Sequence, residues 1–222
     1  MSVAQAKRAR GRPKKTESEK DEGNRRQALI AAAGYLFKTQ GFDATSTREI
    51  ATRVGMQAGS PFYHFGNKQD LLMAVIVEGL QQAIVSQHVA LLLAQEDEPW
   101  MSERQRLGVL IRHHLNVLLG PNSDFIGVML YEARSLTQAH RLIVHQLSDE
   151  YEAAWIPVLD KLSQQGQLAA PVKAARLLIF GALNWTVQWF AMPPSASKSK
   201  DTQRLGLDEL ADAALQLFLK PV

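Results

Sequence analysis

The sequence predicts an all-α protein: an N-terminal three-helix domain of helix-turn-helix type, then a C-terminal helical bundle domain, with about nine helices in total. Apolar residues recur at helical spacing in successive segments, and glycine and proline separate these segments. Strand-like alternation of apolar and polar residues is absent. Of the 222 residues, 46% are apolar, which is enough for an ordinary core and excludes wholesale disorder.

The first 23 residues form a separate region that is polar, charged and without periodicity. The formal charge of the chain is +3, yet the first fifteen residues alone carry +6, so the remainder sums to −3. A local basic block of this kind usually meets a polyanion. We therefore expect residues 1–23 to be a disordered basic arm.

Three helices are predicted between residues 24 and 72. The first carries apolar residues on one face and ends at Gly41. The second, in "STREIATRVG", begins with a possible capping box of Ser46 and Glu49 and ends at Gly55. The third, "AGSPFYHF", follows a three-residue turn, and it tolerates Pro61 in its first turn because a missing amide there has no partner to lose.

Downstream of these three helices, the chain reads as a further series of helices. Asn67 is expected to cap the first of them, with Asp70 three residues on, and Pro157 to kink the fourth. Segment 191–206 is predicted to be a long polar loop. The predicted helices lie near 68–94, 102–119, 123–134, 137–165, 171–190 and 207–219.

The sequence also lacks the signals of several protein classes. There is no cysteine, no apolar stretch behind the N-terminal charges, and no apolar run near the roughly 18–20 residues that a membrane span needs. Glycine-rich phosphate loops, nucleophile elbows and HExxH motifs are missing, and His113-His114 and His140/His145 lack metal-ligand spacing. We expect a cytoplasmic protein that is not an enzyme and that binds no metal, cofactor or membrane.

Two short helices joined by a glycine turn, with a longer helix before them, have the pattern of a helix-turn-helix unit. In such a unit the second helix enters the DNA major groove and the first lies across the backbone. Short helix pairs also occur in many other all-α proteins. The DNA-binding interpretation is favoured by polar residues on and just after the second helix, which is too short to bury them all: Gln57, Ser60, Tyr63, His64 and Lys68.

Residues 41–72, "GFDATSTREIATRVGMQAGSPFYHFGNKQDLL", resemble the DNA-binding domain of the tetracycline-repressor (TetR) family of bacterial regulators. The resemblance covers roughly residues 24–72, and its motifs are highly specific. The downstream chain resembles the family only in the number and total length of its helices. The matching features are Gly41-Phe42, Thr45-Ser46, Arg48-Glu49-Ile50-Ala51, Gly55, Gly59-Ser60, the aromatic cluster ending in Phe65, and Lys68 with Leu71.

The resemblance implies a set of DNA contacts within residues 24–72. Hydroxyls and free amides at a helix N-terminus suit a phosphate. Gln57 has the best chemistry for a base edge, since its amide pairs bidentately with adenine at about 1–3 kcal/mol of discrimination, whereas Ala58 at most touches a thymine methyl. The implied backbone contacts are Thr45, Ser46, Thr47, Tyr63, His64 and Lys68, and the implied base contacts are Gln57, Ala58 and Ser60.

One position departs from the family pattern. Phe62 stands where the family usually has a tyrosine, and Pro61 replaces the usual aliphatic residue. Phe62 has no hydroxyl to give a phosphate, so that contact either passes to Tyr63 or is absent. Phe62 and Phe65 are themselves expected to be core residues.

Within the arm, Arg10-Gly11-Arg12-Pro13, followed by two lysines, resembles an AT-hook. Such a segment lies extended in a narrow A·T minor groove, where glycine permits close approach and the arginines fit between the walls. The alternative is a solubilising or non-specific basic tail. We expect minor-groove contact. For each phosphate that the arm neutralises, the DNA-binding constant should fall more steeply with salt, by about 0.9 log units per log unit of salt concentration.

Residues 73–222 form, as the resemblance implies, an effector-binding and dimerisation domain. Helices 171–190 and 207–219 combine small and large apolar residues, which suits a four-helix dimer interface; the alternative is that both belong to the intrachain core. The stretch "GALNWTVQWF" resembles a motif from a branch of the family linked to acyl-CoA-type effectors. The candidate ligand contacts, each of which taken singly is more often a core residue, are His114, Phe125, Met129, Glu132, Tyr151, Trp155 and Asn184.

The sequence thus predicts a ligand-responsive, DNA-binding transcriptional regulator. We expect a homodimeric repressor that binds a palindromic operator on double-stranded DNA and is released by a small-molecule effector, acyl-CoA-type or otherwise apolar, through a population shift in the spacing of its two DNA-binding domains. The alternative is an architectural A·T-rich DNA-binding protein with little sequence readout. A helical enzyme with a basic tail would leave the helix-turn-helix pattern unexplained.

Overall fold

The computed structural model describes residues 17–57, 63–121, 123–190 and 206–221, and this part of the chain is all-helical, as predicted. An isolated bridge between Leu168 and Leu219 is its single extended pairing. Two short 3₁₀ turns, Ala133–Ser135 and Thr186–Gln188, extend helical segments. The α-helices are α1 Glu17–Gln40, α2 Thr47–Arg53, α3 Lys68–Asp97, α4 Glu103–Leu119, α5 Asp124–Glu132, α6 Gln138–Ala153, α7 Ile156–Gln164, α8 Val172–Trp185 and α9 Leu207–Phe218.

Helix α1 begins at Glu17, seven residues before the predicted start, so the prediction of an unstructured segment up to residue 23 was wrong for residues 17–23. The sequence there, "ESEKDEG", is rich in strong helix formers, and acidic residues are favourable at a helix N-terminus. An apolar periodicity cannot predict this part of the helix, because the segment has no apolar side chain. Residues 1–16, with the AT-hook-like segment, lie outside the described residues.

The predicted ends of α2 are confirmed. The Ser46 side chain accepts a hydrogen bond from the Glu49 amide at 3.1 Å, but the Glu49 carboxylate accepts from Gln40 Nε2 at 2.9 Å, so only half of the predicted capping box forms. At the other end, Gly55 has φ +70° and the Met56 amide donates to the Ala51 carbonyl at 2.9 Å. This left-handed turn closes the helix at the predicted glycine.

The predicted third helix, residues 58–65, lies mostly outside the described residues. The chain is described again from Tyr63, and Phe65 is buried, as predicted. Asn67 caps α3 as predicted, its side chain accepting from the Asp70 amide at 2.9 Å. Helix α3 then continues for 30 residues, which is roughly 45 Å of helix.

Helix α3 joins two hydrophobic cores. Its first half packs Leu72 and Ile76 against α1 and α2 in the head core, and its second half packs Ala83 and Ile84 in the body core. By length and composition alone α3 is long and apolar enough to cross a membrane. A central core helix passes the same test, and α3 contributes residues to both cores. We call α1, α2 and the start of α3 the head, and α4–α9 with the rest of α3 the body.

The predicted helix 137–165 is two helices, α6 and α7, so the expectation of one kinked helix was wrong. The break falls at residues 154–155, and Pro157 lies in the first turn of α7. A proline costs no hydrogen bond there, whereas inside a continuous helix it would remove one and clash with the preceding turn. The break brings Trp155 into the body core.

Candidate nucleic-acid interface and effector cavity

The exposed surface of α2 carries several groups suited to a phosphate backbone. Ser46 is exposed and Thr47 half-buried at its N-terminus, and Arg48 and Arg53 are both exposed. The Arg53 guanidinium lies 3.9 Å from the centroid of the Tyr35 ring, a cation–π contact that fixes its position on the head surface. The described head therefore presents hydroxyls and cations along one side of α2.

Thr45 is a correction to the predicted contacts. Its side chain is 1% exposed, and its hydroxyl donates to the Gly41 carbonyl at 2.7 Å and accepts from Gln40 Nε2 at 3.2 Å. Both capacities of the hydroxyl are used within the protein. Thr45 therefore fastens the loop between α1 and α2, and it does not face a phosphate.

Lys68 lies closer to the loop between α1 and α2 than the sequence indicates. Its Nζ donates to the carbonyls of Phe42 at 2.8 Å and Thr45 at 2.9 Å, and it lies 4.3 Å from the centroid of the Phe42 ring. An ammonium group has three hydrogens to donate. One donor is left for the predicted phosphate contact, which stays a prediction.

The remaining predicted DNA contacts divide between the described and undescribed residues. Gln57 is exposed, Tyr63 is 90% exposed and His64 is half-buried, so all three are accessible from solvent. Their roles stay predictions. The following lie outside the described residues: Arg10, Gly11, Arg12, Pro13, Ala58 and Ser60, with Pro61 and Phe62.

A small cavity of about 90 Å³ lies in the body between α3, α4, α5, α6 and α8. Its wall is mostly apolar. Five of the seven predicted ligand contacts line it, namely His114, Phe125, Met129, Tyr151 and Asn184. The other lining residues were not predicted from the sequence: Leu80, Ala83, Val117, Ile126, Ser148, Glu152 and Phe180.

A chain of buried polar groups ends at this cavity. His114 Nε2 lies 3.1 Å from Asn184 Oδ1, and His114 Nδ1 lies 3.0 Å from the Tyr151 hydroxyl. Because an amide oxygen only accepts, Nε2 carries the hydrogen and Nδ1 accepts from Tyr151. The Tyr151 oxygen also lies 3.4 Å from His113 Nδ1, and His113 Nε2 lies 2.8 Å from Ser86 Oγ near the surface.

The groups of this polar chain are uncharged at neutral pH. Burial is the main reason that the pKa of His114 is lowered to about 4; the Asn184 hydrogen bond opposes this shift, and nearby His113 adds a smaller decrease. Burial also lowers the pKa of His113 and raises that of Tyr151. An apolar cavity with a few neutral, already oriented polar groups is typical of a small-molecule site.

Trp155 and Glu132 were predicted as ligand contacts, and neither lines the cavity. Trp155 is fully buried behind the wall, its ring centroid 4.8 Å from that of Phe180, and its Nε1 can donate at 2.9 Å to the buried Gln87 amide when the amide oxygen faces it, the orientation that satisfies both groups. Glu132 accepts from the Phe42 amide at 3.1 Å and so belongs to the contact between body and head. Both are polar or aromatic residues on apolar helices, a pattern that does not tell a ligand contact from an internal one.

Metal coordination finds no support in the described ranges, where no group of three or more histidine, aspartate or glutamate side chains lies close enough to hold an ion.

A head with the sequence pattern of a helix-turn-helix unit, on a helical body with a small cavity, is typical of a ligand-responsive, DNA-binding transcriptional regulator. Residues 29–75 match the family profile described as "Bacterial regulatory proteins, tetR family", and residues 101–197 match "Tetracyclin repressor-like, C-terminal domain". The chain belongs to the TetR family.

Known proteins resemble the chain over most of its length. The fatty acid metabolism regulator protein of Bacillus subtilis (strain 168) is 22% identical over 200 residues, covering 87% of this chain and 93% of that protein. The crystal structure of the superantigen PfiT is 33% identical, with a TM-score of 0.68 over 89% of this chain and 97% of that one. AibR, in complex with isovaleryl coenzyme A and operator DNA, shares the fold at 22% identity, with a TM-score of 0.70 over 89% of this chain and 100% of that chain.

Proposed function

We propose that this regulator is a homodimeric repressor that binds a palindromic operator through its two heads and is released when a small molecule occupies the cavity of the body. The observation that carries the proposal is the polar chain of Asn184, His114 and Tyr151 opening into an apolar cavity. Buried polar groups are costly, and groups already oriented toward a cavity are suited to receive a polar atom of a ligand. We place the protein in the bacterial cytoplasm, associated with the nucleoid when bound.

Dimerisation is supported by an exposed apolar stripe on α8. Leu177, Leu178 and Trp185 are 57–65% exposed, and Gly181 between them has open space where a Cβ would lie. On α9, Ala213 and Leu217 are also exposed, whereas Ala175 on α8 and Ala214 on α9 are buried within the chain. An exposed stripe of this kind at helical spacing is suited to pack against its own copy about a two-fold axis.

The effector we propose is an acyl-CoA-type molecule whose short acyl part enters the cavity. This choice is supported by the structure of AibR in complex with isovaleryl coenzyme A, and the Bacillus subtilis relative is named a fatty acid metabolism regulator protein. Among the described lining residues, the one carboxylate, Glu152, is paired with Arg176, and the one histidine, His114, is neutral. A free acid would find no unpaired cation there, whereas the neutral carbonyl of a thioester can accept from a neutral donor.

The DNA half of the proposal is tested by selecting tight-binding duplexes from a random pool at near-physiological salt. The full chain should recover a palindrome. A variant lacking residues 1–15 should lose A·T-rich flanking positions and show a shallower salt dependence, by about 0.9 log units per log unit of salt for each phosphate that the arm neutralises in the full chain. Enrichment of A·T content without symmetry would favour an architectural DNA-binding protein, and no enrichment would contradict DNA readout by the chain alone.

The effector half of the proposal is tested on the recovered operator with isovaleryl coenzyme A as the probe and free isovalerate as its matched control. The thioester should weaken operator binding by roughly 5–150-fold, the usual range of allosteric coupling, and the free acid should leave it unchanged. Fluorescence anisotropy of labelled operator measures operator binding in the presence of each compound. Equal release by the two compounds would contradict recognition of a neutral carbonyl, and no release by either would contradict the choice of effector class.

A further inference from the structure

The backbone N–H and carbonyl of Phe42, in the loop between α1 and α2, are each bound by a charged side chain. The N–H donates to Glu132 Oε1 at the end of α5 (3.1 Å), and the carbonyl accepts from Lys68 Nζ at the start of α3 (2.8 Å). The Phe42 ring is buried beside Phe37, with their centroids 5.3 Å apart. The loop that leads into α2 is therefore fixed to two helices whose other ends or faces line the cavity.

Helix α5 faces the cavity on one side and the head on the other. Phe125 and Met129 line the cavity. On the other side, Val128 is fully buried in the head core, and Asp124 pairs with Lys38 of α1 at 2.9 Å. Because α5 has only nine residues, a displacement at its cavity face also displaces its contacts with the head.

The packing of α5 on α3 leaves no free space between Phe125 and Gly79. A Cβ added at Gly79 would lie 2.2 Å from Phe125 Cγ and 2.7 Å from Phe125 Cβ, and a rotation of the ring cannot move the Cβ. Packed cores of this density respond to an inserted group by shifting whole elements, because little local compression is available. A group that displaces Phe125 must therefore move α5 relative to α3.

We propose that the backbone of Phe42 is the joint through which occupancy of the cavity reaches the DNA-binding head. Glu132 on α5 binds the Phe42 N–H and Lys68 on α3 binds the Phe42 carbonyl, so movement of α5 relative to α3 pulls the loop and reorients α2. Glu132 is then a positioning residue for DNA binding, and it contacts neither effector nor DNA. This inference rests on the proposed function, since it needs an operator-binding head.

The test is a double-mutant cycle on operator affinity that needs no effector. Gly79→Ala forces Phe125 and α5 to shift, so it should weaken operator binding about tenfold, within the usual range of allosteric coupling. Glu132→Met removes the acceptor for the Phe42 amide. In that background, Gly79→Ala should weaken binding by less than about threefold. Glu132→Gln keeps an accepting oxygen and should retain most of the effect of Gly79→Ala.

Gly108→Ala on α4 is the matched control. The nearest atom to its added Cβ is the flexible end of Arg112 at 3.3 Å, so operator affinity should be unchanged. Thermal unfolding of each variant establishes that it is folded. If Gly79→Ala does not fold, Met129→Trp, which fills the cavity from α5, takes its place. The proposal is overturned if Gly79→Ala weakens operator binding equally in the wild-type chain and in the Glu132→Met variant. It is also overturned if a folded Gly79→Ala variant binds the operator as tightly as the wild type. A wild-type chain that binds no operator would instead overturn the proposed function.

Discussion

A Leu178→Arg variant should run as a monomer of 24.7 kDa and bind the operator about 10²–10⁴-fold more weakly than the wild-type chain. In a two-fold interface each residue near the axis meets its own copy, so one substitution introduces two guanidinium groups into one apolar contact. Burying unpaired charges there costs more than removing the leucine packing alone. The operator affinity falls because two linked heads bind with avidity, and a single head loses that gain.

The body offers a closely matched control for this substitution. Leu178 on α8 and Leu142 on α6 are each 59% exposed, so an arginine at either position costs the isolated chain little. Leu142→Arg should leave both the mass and the operator affinity unchanged. Analytical ultracentrifugation and fluorescence anisotropy measure the two quantities. A dimeric Leu178→Arg variant, or a monomeric Leu142→Arg variant, would contradict the assignment of the interface to α8.

Features of the fold that depend on neighbouring residues could be predicted from the sequence. The caps at Ser46 and Asn67 and the left-handed glycine at Gly55 each depend on a few adjacent residues, and all three are confirmed. The effect of Pro157 is equally local, but a proline in a helical pattern is compatible with two different structures. A proline either kinks a helix or starts one, and tertiary packing of Trp155 into the body core accompanies the second.

The partners of the polar residues could not be predicted, because they lie far away in the chain. Glu132 and Phe42 are 90 positions apart, and His114 and Asn184 are 70 apart. A polar residue on an apolar helix face must find some partner when it is buried, but its own sequence context does not name that partner. The same pattern therefore gave His114, which lines the cavity, and Glu132, which fixes the head.

Acidification should destabilise the protein through His114 by about 3 kcal/mol between pH 7 and pH 4. The pKa of this histidine lies near 4 in the folded chain and near 6.5 when it is exposed, so the unfolded state binds a proton first as the pH falls. The stabilising contribution is complete above pH 6.5 and is lost progressively down to about pH 4. Each unit of difference between the two pKa values corresponds to about 1.4 kcal/mol, which gives the stated magnitude.

Urea denaturation at several pH values between 7 and 4.5 measures this contribution, with His114→Gln as the test and the exposed His88→Gln as the matched control. His114→Gln removes the titrating group, so its deficit in unfolding free energy relative to the wild type should shrink as the pH falls. The His88→Gln difference should stay constant. In the folded chain His114 stays mostly neutral down to about pH 4, so Nδ1 keeps accepting from Tyr151, and operator release by the probe should not change through this histidine between pH 7 and pH 5. A deficit for His114→Gln that does not change with pH would mean that His114 is accessible to protons in the folded state, and the buried polar chain would then have to be open to solvent.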